Sequence, residues 1–223
     1  MKKVRIGTVT IGQSPRTDIT DEISPMLGER FVLVEKGALD GMHDDYIAEH
    51  IAPGEKDEVL VSRMQDGRPV RIAKDKVLPL IQEKIHELDK ENVDIIVLLC
   101  NEVFPEFQSR TLLFRTEEVL HSMAARLAGG RNVGVMMPDR SQLQGITELW
   151  KKYGVCVKAV GASPYQEDSL EEEAEKLRGE DICFIFMECL GYSREMKKKV
   201  EAATGKMVLT TRTLMFRIIQ EMF

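Results

Sequence analysis

The stretches VDIIVLLCNE, Val93–Glu102, and EDICFIFMECLG, Glu180–Gly191, decide how this chain is read. Each is an apolar run of strand length that stops at a cysteine beside polar or glycine residues. Each also follows an acidic helical pattern and a short turn, IQEKIHELDKENVD in the first case and EEEAEKLRGED in the second. Free cysteine packs as a small hydrophobe, so the repeat alone does not separate core from chemistry. What singles out Cys100 and Cys189 is their place as the last strand residue before a polar loop, where functional side chains sit in α/β folds.

A second pairing extends the first. RIGTVTIGQSPR, Arg5–Arg16, and NVGVMMPDRSQ, Asn132–Gln142, both put a glycine inside a strand and a proline with an arginine just after it. An internal duplication accounts for both pairings. Their offsets differ because DEVLVSRMQDGRPVRIA, from Asp57 to Ala73, inserts two short β-runs around Asp66-Gly67, a strong hairpin signal. Elsewhere strand-like and helix-like patterns alternate, as βαβ units do. The spacing predicts helices over Asp75–Lys90 and over Thr116–Ala128, the latter closed by Gly129-Gly130. The expected architecture is α/β: two similar parallel-sheet lobes related by a pseudo-twofold, with a cleft between them. The boundaries read as 1–115 for the first lobe and 116–207 for the second, with 208–223 packing back on the first. Ligands of such sheets bind outside the carboxyl ends of the strands, which would aim both cysteines at one cleft.

Composition narrows the function classes. Over 223 residues, 43% are hydrophobic and 30% charged, so the chain should fold throughout. Lysines and arginines number 31 against 37 acids, a formal charge of −6, and the basic residues are scattered. No stripe is suited to a phosphate backbone, so nucleic acid is not an expected partner. No apolar run approaches the ~20 residues needed to span a bilayer. The start, MKKVRIGTVTIG, is too broken by Arg5, threonines and glycines for a signal peptide. A cytoplasmic location without membrane association follows as the expectation, and with it reduced thiols. His43, His50, His86 and His121 share no close spacing with cysteine, so no metal site is expected, and His43 and His50 read as loop residues. Cys156 and Cys183 lie inside apolar stretches and read as core.

A facing pair of cysteines supports one reaction type well: a thiolate removes a proton from one side of a carbon while the opposite thiol returns one to the other. Such a racemase or epimerase needs no cofactor. With reacting atoms within ~3 to 3.5 Å on each side, the sulfurs would sit roughly 7 Å apart. A helix amino terminus beside the strand end would lower the thiol pKa from its usual ~8.5. After Cys189, GYSREM offers Ser193 as a helix cap. In TIGQSPR, Gly12 permits a tight turn, Gln13 and Ser14 offer polar groups, and Arg16 could grip a carboxylate with two parallel bonds. The motif is neither GxGxxG nor a Walker A loop, so nucleotide binding has no specific support.

TVTIGQSPRTDI, VDIIVLLCNE and MECLGYS together resemble the AroM protein family over the whole chain length. Cys100-Asn101 at one strand end and Cys189 beside Gly191 resemble, more widely, the aspartate/glutamate/hydantoin racemase superfamily. The resemblance implies that fold, with Cys100 and Cys189 as acid/base cysteines. It further implies substrate contacts from Asn101, Gly191, Tyr192 and the loop of Gly12, Gln13, Ser14 and Arg16, a small carboxylate as ligand, and no cofactor. Related folds are often dimers, so a homodimer is part of the expectation. The racemases follow their cysteines with threonine, whereas Glu102 and Leu190 stand at those places here. Glu102 points away from an acidic substrate and toward a hydroxy acid, a cyclic compound or another carbonyl-activated molecule. Two other readings stay open: a small-molecule binding or regulatory protein that kept the fold, and a lyase or decarboxylase using a single cysteine as proton donor.

Overall fold

The computed structural model describes residues 2–165 and 170–223. The chain divides into two compact units, Met1–Arg115 with Phe223, and Thr116–Met222. The first unit contains β1 (Val4–Thr10), α1 (Thr17–Leu27), β2 (Phe31–Gly37) and the short α2 (Asp44–Tyr46), which continues as a π-helical turn over Ile47–Ile51. It goes on through β3 (Val59–Arg63), β4 (Pro69–Ala73), α3 (Lys74–Lys90), β5 (Ile95–Leu98) and β6 (Leu113–Phe114). The second unit contains α4 (Thr116–Ala128), β7 (Val133–Met137), α5 (Leu143–Lys152), β8 (Val157–Gly161), α6 (Leu170–Glu175), β9 (Ile185–Met187), α7 (Arg194–Thr204), β10 (Val208–Thr210) and α8 (Thr211–Met222). The beginning of the helix expected from EDSLEEEAEKLRG lies outside the described residues.

Both main sheets are parallel, and their strand orders correspond. The first runs β2-β1-β5-β6, and the second, read from its β8 edge, runs β8-β7-β9-β10. The pairing expected from sequence, β1 with β7 and β5 with β9, is therefore the topological pairing too. Equivalent strands carry equivalent glycines. A Cβ on Gly7 of β1 would lie 2.9 Å from Leu88 Cδ1, and one on Gly134 of β7 would lie 2.7 Å from Ile182 Cδ1. In each unit the bare strand lets an apolar side chain approach the sheet backbone, from α3 in the first and from the segment before β9 in the second.

Periodicity builds the cores. On α3, Val77, Ile81, Ile85 and Leu88 form one buried stripe that joins Val9, Ile96 and Leu98 of the sheet. β5 is buried along its full length, as a strand covered on both faces must be. In the second unit the corresponding core gathers Met136, Ile185, Met187, Val200 and Val208. α4 spans the expected residues, and Gly129 and Gly130 after it take φ of +58° and +83°. The inserted β3-β4 hairpin turns at Asp66-Gly67, where Gly67 has φ +90° and Met64 N–H donates to the Arg68 carbonyl at 2.8 Å. No helix among the described residues is long and apolar enough to cross a membrane.

Two cysteines expected in the core are not in it. Cys156 is exposed and Cys183 is half-buried. Cys156 precedes the first residue of β8, an edge strand of its sheet, so among the described residues no strand pairs with one flank of it. Cys183 lies ahead of β9, where its thiol donates to the Asn132 carbonyl at 3.2 Å.

Candidate functional site

Cys100 follows the carboxyl end of β5 and Cys189 that of β9, equivalent positions in the two sheets. In the first unit Cys100 is half-buried against the core that includes Leu98 and Phe104. Leu99 N–H donates to the Val9 carbonyl at 2.8 Å, carrying the sheet's pairing up to the cysteine. Asn101 comes next, also half-buried. Glu102 then accepts from Val103 N–H at 2.9 Å and from Lys74 Nζ at 3.3 Å, while Lys74 also reaches Glu58 at 2.7 Å. Burial pushes the Glu102 carboxyl up, with Lys74 opposing it. Burial would lower Lys74, but Glu58 and Glu102 outweigh it and raise its pKa.

The loop after β1 is tied down by its own polar groups. Ser14 donates through its N–H and its hydroxyl to the two oxygens of Asp40, each at 2.7 Å. The Gln13 side chain donates to the carbonyls of Leu39 and Met42 and accepts from Gln65 N–H, clasping the hairpin. A Cβ on Gly12 would strike the Arg63 carbonyl and lie 2.6 Å from Ser62 Oγ, so glycine is what lets the hairpin seat there. Arg16 differs from the anion anchor that the sequence suggested. It is 3% exposed, its Nε and Nη2 form a two-bond fork with Asp18 at 2.8 Å each, and Nη1 donates to Thr10 Oγ1 at 3.1 Å. The fork expected to hold a ligand carboxylate holds Asp18, two residues further along the chain. A cavity of about 570 Å³ beside the hairpin is lined by Gln13, His43, Asp44, Asp66 and Arg68 among others, and Cys100 is not in its wall.

The second unit builds around Cys189. The sulfur accepts from Gly191 N–H at 3.3 Å, and the Tyr165 hydroxyl lies 3.7 Å away. Ser193 caps α7, its Oγ accepting from Met196 N–H at 3.2 Å, as the sequence suggested. Tyr192 contrasts with its expected role as a substrate contact. It is fully buried, and its hydroxyl donates to the Ala162 carbonyl at 2.5 Å, which fastens the cysteine loop to the end of β8. Burial pushes that phenol well above its usual pKa.

Behind the loop stands a polar network that the sequence reading missed. Glu188, 3% exposed, accepts from His121 Nε2 at 2.8 Å and from Trp150 Nε1 at 2.7 Å. His121 also lies beside Glu117, whose carboxylate accepts from the Tyr153 hydroxyl at 2.6 Å. Burial pulls the His121 pKa down, but the Glu188 and Glu117 carboxylates overcome it and hold it at about 10, so the imidazole is a cation at neutral pH. From the start of α8, Thr211 Oγ1 donates to the Glu188 carbonyl at 3.1 Å, and buried Arg212 donates to the carbonyls of Leu190 at 2.6 Å and Gly191 at 2.9 Å. The available signal was Glu188 inside the apolar run CFIFMEC, because a charge there demands a buried partner. Its partner His121 is 67 residues away, beyond any local pattern. Among the described residues no cluster of three or more histidine, cysteine or acidic side chains is arranged to hold a metal.

Residues 6–223 match the AroM protein family, and the chain belongs to it. No curated protein matches the chain. Among solved structures, the maleate isomerase Iso from Pseudomonas putida S16 aligns over 99% of this chain and 93% of its own, at 14% identity and a TM-score of 0.64. Picrophilus torridus aspartate racemase aligns over 98% and 94%, at 13% identity and a TM-score of 0.61. An arylmalonate decarboxylase aligns over 95% and 88%, at 11% identity and a TM-score of 0.56. At these identities the likeness is one of fold, and it places the chain on the aspartate/glutamate racemase architecture.

Proposed function

Starting from a member of the AroM family, we propose that this protein is a cofactor-independent isomerase of the racemase or epimerase type. It acts on a small carboxylate, with Cys100 and Cys189 exchanging the roles of acid and base at a carbon next to a carbonyl. The observation that carries the reading is that the two cysteines close equivalent strands, β5 and β9, in sheets of corresponding strand order. Structures of the same fold include a maleate isomerase and an aspartate racemase, both named for small carboxylate substrates. Substrate contacts are assigned to Asn101 and to the loops that carry Gly12 and Gly191. A cytoplasmic location and a homodimer belong to the same proposal.

The test is incubation with a library of small hydroxy acids, cyclic amides and dicarboxylates in deuterated water, followed by NMR. Exchange of one α-hydrogen identifies substrate and reaction together. Cys100→Ser and Cys189→Ser should each lower turnover on the order of a hundredfold to ten-thousandfold, the range general acid–base groups contribute. Full turnover in either variant overturns the two-base mechanism.

A second reading, a lyase or decarboxylase using one cysteine, draws on the donors gathered at Cys189, an N–H and a phenol. An arylmalonate decarboxylase has the same fold. It predicts that the Cys189 substitution alone abolishes activity and that the solvent deuteron appears only in product.

A further inference from the structure

Tyr165 stands in the loop after β8, and its hydroxyl approaches the Cys189 sulfur to 3.7 Å. The place it occupies is made for it. A Cβ on Gly191 would lie 2.5 Å from the Tyr165 hydroxyl, 2.7 Å from its Cζ and 2.7 Å from Pro164 Cγ, so only glycine at 191 lets the ring lie against the cysteine loop. The same glycine's N–H donates to the sulfur at 3.3 Å. Ser163 Oγ accepts from Tyr165 N–H at 3.2 Å and fixes the turn that presents the ring. Arg212 holds the carbonyls of Leu190 and Gly191 from behind, so the backbone under the ring is fixed as well.

We propose that Tyr165 is a positioning residue for Cys189, its phenolic O–H donating to the sulfur so that the thiolate is favoured and held in one direction. The proposal rests on the reading of Cys189 as an acid/base group, and it adds a residue that neither the strand-end motif nor the neighbouring GYS sequence contains. The physical basis is that hydrogen bonds to an ionised acceptor are roughly twice as strong as neutral ones, so a donor aimed at sulfur favours the thiolate over the thiol. The Gly191 N–H gives the sulfur one such donor and the phenol gives a second, from a different segment of the chain.

The test reads the thiol directly rather than through turnover. The wild-type protein and Tyr165→Phe are alkylated with iodoacetamide across a pH series, and labelling at each cysteine is followed by peptide mass spectrometry. Tyr165→Phe keeps the ring against Gly191 and removes only the donor. The half-labelling pH of Cys189 should rise by about one unit, which is about tenfold less thiolate at neutral pH, while those of Cys100 and Cys156 stay in place. Gly191→Ala, which keeps the phenol but displaces the ring, should raise it likewise. A Cys189 profile that coincides with wild type in Tyr165→Phe overturns the proposal. Should that variant not fold, an unchanged profile in Gly191→Ala does the same. If instead the profile shifts but Cys189→Ser retains full proton exchange on a substrate, Tyr165 and Cys189 are coupled and the catalytic reading fails alone. Once a substrate is known, the acidic limb of the kcat profile should move with the labelling profile while KM stays near wild type, a split that loss of packing would not produce.

Discussion

The two cysteine loops occupy the same place in equivalent sheets, yet they are held in different ways. Behind Cys189 lie Glu188, His121, Trp150, Thr211 and Arg212, all buried, and Thr211 and Arg212 bond the backbone on the two sides of the cysteine. Beside Cys100, the charges are Lys74, Glu58 and Glu102, a triad still open to solvent at Glu58, whose side chain is 62% exposed. A shared topology fixes where each cysteine stands, and the second layer of side chains determines how rigidly it stands there. In the second unit that layer is a low-dielectric ion pair. In the first it is one that reaches solvent through Glu58. The difference assigns the more preorganised group to Cys189 and the more adjustable one to Cys100.

The sharpest way to break this contrast is at Glu188. Glu188→Ala leaves a buried imidazolium with Glu117 as its remaining carboxylate and takes the acceptor from the Trp150 N–H, and removing one partner of a buried ion pair costs about 3–5 kcal/mol. Urea unfolding should show that loss as a lower midpoint with little change in slope. The wild-type pH profile supplies a second check. The folded-state pKa of His121, about 10, lies above the unfolded value of 6.5. A raised pKa means that the folded protein binds this proton more tightly, so the stabilisation is fully present below 6.5 and is lost as pH rises through about 10. Stability should therefore fall steadily over that interval, and Glu188→Gln should flatten the slope. A wild-type profile that is flat there would show that His121 folds uncharged.

The next pair tests the likeness instead of the difference. Gly7→Ala and Gly134→Ala place a methyl group against Leu88 and Ile182, contacts of 2.9 and 2.7 Å. Overpacking of this kind costs about 1–3 kcal/mol, and the two variants should lose similar amounts in chemical denaturation. A large loss in one and none in the other would mean that the strands are equivalent in order but not in packing.

These glycines were legible in the sequence, because RIGTVTIG and NVGVMMP each interrupt a strand with a residue that strands disfavour. The α4 boundaries and the Asp66-Gly67 turn were legible for the same reason, since each depends on residues within a few positions of one another. Cys156 was misread because apolar neighbours do not say whether a strand is central or at an edge, and β8 is an edge. The bond from Arg16 to Asp18 was not legible, because a side chain's partner depends on how the turn closes. Glu188 carried a local sign, a charge in an apolar run, but His121 and Trp150 are joined to it only by the fold. The placing of the two cysteines after equivalent strands was thus visible, and the buried charges behind Cys189 were not.

The smallest effect belongs to the side that reaches solvent. Glu102→Gln takes away one of the two carboxylates at Lys74, at 3.3 Å, and leaves Glu58 at 2.7 Å. The lysine keeps its closer partner, and the amide oxygen of glutamine can still accept from Val103 N–H, the bond that shapes the turn after Cys100. Burial raises the Glu102 pKa, so the ionised carboxylate is itself held at a cost that the neutral amide does not carry. The two contributions oppose each other, and the net change in unfolding free energy should stay under about 1 kcal/mol, as for solvent-reachable pairs. A loss as large as that at Glu188 would mean that the first unit, too, supports its cysteine loop through a buried charge, and the proposed asymmetry between the loops would be gone.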